Sequence, residues 1–147
     1  MTAGLGDPIR EVLALAQAYG YAREDLLMQS ITLCAGLCLL DGAPLSSPGE
    51  PLPGQEEFED LVCRRLEGRD PEALDAFQTL SQVRLGSQAF DRLLRHWARF
   101  AGDRRKLLSL TERLIARFRV QGYRMRWEAP AWLRRLAVEL LDPVEGV

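Results

Sequence analysis

Arg92, Arg95 and Arg99 recur every three or four residues, and Lys106, Arg113 and Arg117 form a similar series in the next segment. On a helix that turns about 100° per residue, each set falls on one stripe. Guanidinium forks at one-turn spacing can each take the oxygens of a successive phosphate, a chemistry that needs no base-specific geometry. The predicted activity is therefore binding of a nucleic-acid backbone, RNA or DNA, independent of sequence and sensitive to salt. A solvated helix face, or a basic face docked on an acidic protein surface, would show the same spacing.

The charge distribution sharpens this reading. The net charge of −2 conceals 5 arginines against 14 acidic residues in 1–80, and 14 basic against 7 acidic residues in 81–147. Between Arg84 and Arg126 the count is 12 basic to 3 acidic. Such asymmetry points to an anionic partner or to self-complementary assembly. The acidic counterpart is the segment from Glu50 to Asp60. There Glu56, Glu57, Glu59 and Asp60 are the candidate protein-binding residues, including for the basic face of a second copy. Acids at the start of a helix are also favoured by its dipole alone.

Other chemistry is poorly supported. Cys34 and Cys38 sit four apart in an apolar run, so they share a helix face and read as small buried hydrophobes. With Cys63 and His96 they could be drawn as a zinc set, but structural zinc ligands come in pairs on tight turns. Cys63 beside Arg64 and Arg65 has an alternative reading as a thiol of lowered pKa. His96 is the single histidine and is predicted at the edge of the first arginine stripe, where cations disfavour its charged form. No nucleophile elbow, phosphate-binding glycine loop or metal-binding His-Glu motif is present. The chain is thus expected to be no enzyme and to need no cofactor or metal.

The elements that must position the two stripes are helices. Asp7-Pro8 and Asp70-Pro71 are cap-and-first-turn pairs. Ile9, Val12, Leu13 and Ala16 line the first helix, which Gly20 stops. The 15 uncharged residues from Leu26 to Leu40 make a helix apolar on nearly all sides, predicted to be the buried centre. They fall short of the ~18 apolar residues of a membrane span. Residues 41–54 hold four of the eight prolines and are predicted as a mobile loop. Ser87 is expected to begin a helix ending at Gly102, and Asp103 another ending at Gly122. That two-residue link predicts an antiparallel helical hairpin carrying both stripes outward.

After Gly122, the segment "YRMRWEA" alternates aromatic or apolar with charged residues. It is read as an extended connector that pins Tyr123, Met125 and Trp127 inward and aims Arg124 and Arg126 outward, extending the basic surface. A last helix starts at Pro130. The sum is an all-α, single-domain bundle of about seven helices spanning 1–147, with no signal peptide at its start and a cytoplasmic location.

In size, helical content and arginine-rich face, the chain resembles the small helical subunits of CRISPR surveillance complexes, which tile along bound nucleic acid. The likeness is one of architecture. It implies a non-catalytic subunit within a larger assembly, bound to nucleic acid and to protein neighbours. A helical adaptor or chaperone-like interaction module is the other reading.

Overall fold

The uncharged run from Leu26 forms the central helix expected of it. The structure, a computed structural model, describes residues 6–40 and 45–120, and only the backbone at 6–9, 12, 13, 16 and 120. Among these, six helices occur: α1 (Gly6–Tyr19), α2 (Arg23–Leu40), α3 (Gln55–Leu66), α4 (Pro71–Leu80), α5 (Ser87–Ala98) and α6 (Arg104–Val120), with no strand. The fold is all-α. The helix predicted from Pro130, the connector with Tyr123, Arg124, Met125, Arg126 and Trp127, and part of the 41–54 loop lie outside the described residues.

α2 is enclosed on all sides. Leu26, Leu27, Ile31, Leu33, Cys34 and Ala35 have no exposed surface, and α1, α3, α4, α5 and α6 all pack on it. Its most extensive contact is with α6. Gly36 is what lets α3 approach. A Cβ there would lie 2.6 Å from Cζ of Phe58 and 3.1 Å from Cγ2 of Val62. Phe58 is itself fully buried, so its ring has little room to yield.

The caps predicted at Asp70 and Asp103 form, whereas α1 already begins at Gly6, which puts Asp7 inside the helix rather than at its cap. Asp70 Oδ1 accepts from the N–H groups of Glu72 and Ala73 at 3.1 and 3.2 Å, and Asp103 Oδ1 accepts from Lys106 N–H at 3.1 Å. Gly20 ends α1 with φ +73°, in the left-handed region that glycine enters without steric cost. In the loop, Leu45 and Leu52 are half-buried against the core.

The predicted hairpin does not form. α5 ends at Ala98, four residues before Gly102, and the chain then turns through short-range bonds such as Phe100 N–H to Trp97 O at 2.8 Å. The link to α6 is thus Arg99–Asp103 rather than two residues. Trp97, fully buried, stacks obliquely with Phe100 at 6.4 Å and holds this turn. α5 and α6 do not lie along one another, and each rests on α2 instead. Both helices thus bury their apolar faces on the enclosed, apolar α2.

Candidate nucleic-acid interface

Both stripes point outward as their spacing predicts. α5 buries Ala89, Phe90, Leu93, Leu94 and Trp97, leaving Arg92, Arg95 and Arg99 exposed. α6 buries Leu107, Leu108, Leu110, Leu114, Ile115 and Phe118, leaving Lys106, Arg113 and Arg117 exposed. The two faces differ in what surrounds the charges.

On α5 every cation has a local partner. Arg95 Nη2 lies 2.7 Å from Asp91 Oδ2, one turn earlier. The Arg92 guanidinium sits over the Tyr19 ring of α1, 5.9 Å from its centroid, within the range of a cation–π contact. Arg99 caps the helix and its Nη2 contacts His96 Nδ1. Arg92 lies mid-helix, whereas Arg95 in the last turn and Arg99 at the cap sit where the dipole favours positive charge.

His96 is part of this arrangement. Its Nδ1 is also 3.3 Å from Glu11 Oε1 of α1, and its ring meets Trp97 edge-on at 4.9 Å. Burial pushes its pKa below the ordinary value, the Glu11 carboxylate opposes that, and the Arg99 guanidinium adds to it. The nearby cation expected from the sequence is therefore present, but burial is the larger cause.

On α6 the charges are less compensated. Among the described residues Lys106 has one carboxylate, its own helix cap Asp103, at 4.0 Å with the lysine side chain 58% exposed. Arg113 and Arg117 have none there, and they stand four apart, where like charges repel. Arg104, Arg105 and Lys106 occupy the first turn, which holds no acid, and so oppose the helix dipole.

Two further exposed cations, Arg105 and Arg119, belong to this face and were missed by sequence reasoning. Their signal was the seven-residue recurrence of 105, 112 and 119, which returns to nearly the same angle every two turns. They form a second flank, interrupted by Glu112. Between the flanks lie Ser109 and Ala116.

The acidic segment separates into different roles. Glu56, Glu57 and Asp60 are exposed, and Glu57 Oε1 accepts from Gly54 N–H at 3.0 Å, closing the start of α3. Glu59, in contrast, is engaged within the fold. It is 8% exposed, and its two carboxylate oxygens accept from Arg84 Nη1 at 2.9 and 3.0 Å. Gln55 Nε2 donates to Glu59 at 3.0 Å and to Val83 O at 2.9 Å, so this network fastens the 83–85 segment to α3. Beside it opens a groove of about 760 Å³ lined by residues including Leu52, Pro53, Leu85 and Phe90, with Glu56 and Glu57 also in its wall.

The thiols are core groups. Burial holds Cys34 far above its ordinary pKa and pushes Cys38 up to about 12. Cys63 is also raised, by burial first and then by Glu59, Asp60 and Glu67 against a lowering contact from Gln78. The lowered pKa considered for Cys63 is therefore not found. No group of three or more metal-ligating side chains is gathered among the described residues, and no described helix is long and apolar enough to cross a membrane. Comparison with protein-family models, curated proteins and solved structures finds no match for the chain.

Proposed function

We propose that the chain is a non-catalytic subunit that holds a nucleic-acid backbone, independent of sequence, through the outer face of α6; the observation that carries this is the exposed set Lys106, Arg113 and Arg117, joined by Arg105 and Arg119, with Asp103 its one carboxylate partner among the described residues. Clustered cations that repel each other and oppose a helix dipole cost stability, and an anionic ligand relieves that cost. Arg92, Arg95 and Arg99 are secondary, because their partners must be exchanged for phosphate. A place within a larger assembly, such as a small subunit of a CRISPR-type surveillance complex, suits a surface that reads no bases.

The test is titration of a labelled oligonucleotide with the protein across a salt series. Binding whose logarithm falls linearly with log salt is expected, with a slope of roughly −0.7 to −0.9 per phosphate neutralised. No binding at low salt overturns the reading. The groove beside Glu56 and Glu57 favours a second reading, a helical adaptor that takes a protein segment there. Binding of a protein neighbour that survives charge reversal on α6 but is lost when that groove is filled would support it.

A further inference from the structure

Resting on that reading, we propose that the ligand is double-stranded DNA, with α6 lying in its major groove and each flank of the helix reaching the phosphates of one strand. The exposed side of α6 has a crown and two edges. At about 100° per residue, Lys106, Arg113 and Arg117 centre on one edge, and Arg105 and Arg119 on another roughly 120° away. The bisector passes through Ser109 and Ala116, two small side chains that are half-buried and exposed respectively.

This layout matches a groove better than a single strand. An α-helix with its side chains is about 10–12 Å across, and the B-form major groove is ~12 Å wide and ~8.5 Å deep. A helix seated there meets a phosphate backbone on each side, so cations on both edges find partners at once. Small residues on the crown let the helix settle toward the base edges. They offer almost no directional hydrogen bonding, which agrees with sequence-independent binding. One single strand follows one edge at a time and leaves the other idle. In duplex RNA the major groove is too deep and narrow for side chains to read, so α6 has no comparable seat.

The edges also differ in strength. The first carries three cations, whereas Glu112 stands between Arg105 and Arg119 in the second. Both are long enough to matter: from Arg105 to Arg119 the rise is ~21 Å, and from Lys106 to Arg117 it is ~16 Å.

The experiment uses the full chain against three labelled probes at matched salt: a short duplex DNA, one of its strands alone, and a duplex RNA of the same sequence. Duplex DNA is expected to bind on the order of tenfold tighter than either of the others. The Arg105→Gln/Arg119→Gln and Arg113→Gln/Arg117→Gln variants should each lower the salt slope on duplex DNA by about 2, one for each phosphate contact removed. Thermal unfolding of each variant confirms that the fold is kept. A single strand or duplex RNA bound as tightly as duplex DNA overturns the inference, as does a slope that responds to one edge alone. Those outcomes leave backbone binding by α6 standing. Absence of binding to all three probes overturns that reading and the inference together.

Discussion

α5 and α6 carry arginine stripes that look alike in sequence and behave differently in the fold. Those of α5 are met by Asp91, by the Tyr19 ring and by His96, and two of them, Arg95 and Arg99, lie at the end of the helix that favours them. Those of α6 begin at the end that opposes them, and of Lys106, Arg113 and Arg117 only Lys106 reaches a carboxylate among the described residues. Spacing thus tells which side of a helix a cation occupies. It does not tell whether the cation is already engaged, because that depends on residues brought in from elsewhere. The difference makes α6 the better candidate for an external anion.

The two sides of α6 can be separated first, with the largest effect. Leu114 is fully buried against α2, and Leu114→Ala should destabilise the fold by about 2–5 kcal/mol, read by denaturant unfolding. Nucleic-acid affinity per folded molecule should be unchanged. A loss of affinity without loss of stability would place binding on the inner side and break the comparison.

Acidification should act on α5 through His96. His96 has a folded pKa below its ordinary 6.5, so near that pH the unfolded chain binds more protons than the folded one. Its contribution to stability is full above 6.5 and is lost as pH falls toward the folded value. Unfolding measured between about pH 7.5 and 5.5 should show declining stability, with a shallower decline in His96→Gln. A stability that rises on acidification, or an unaltered profile in the variant, would contradict the placement of His96.

The smallest effects have opposite signs. Arg105→Gln removes a cation from the first turn of α6 and should stabilise the free protein by ~0.3–1 kcal/mol while weakening binding. Arg95→Gln removes the exposed pair with Asp91, whose arginine is 71% exposed, and should cost no more than ~0.5 kcal/mol. Both are read from unfolding midpoints. Equal signs would show that the two faces are not differently compensated.

Local signals account for what was legible in the sequence. The 3.6-residue period placed Leu107, Leu110, Leu114, Ile115 and Phe118 inward and Arg113 and Arg117 outward, and Asp70 and Asp103 marked their helix starts. Non-local partners explain the rest. Glu59 looked like one of several surface acids because Arg84, which pairs with it, is 25 residues away. The hairpin failed because α2 drew both helices to itself and because aromatic packing at Trp97 and Phe100 turned the chain early. Gly36 carried no sequence signal of the close α2–α3 approach it permits.

The most direct test of the central claim compares two triple variants by titrating duplex DNA across a salt series: Arg92→Gln/Arg95→Gln/Arg99→Gln on α5 and Lys106→Gln/Arg113→Gln/Arg117→Gln on α6. The α6 variant should lose about 3 from the slope of log affinity against log salt, while the α5 variant stays within about 1 of the unaltered protein. Equal losses, or a larger loss from the α5 variant, would contradict the claim that α6 is the binding face.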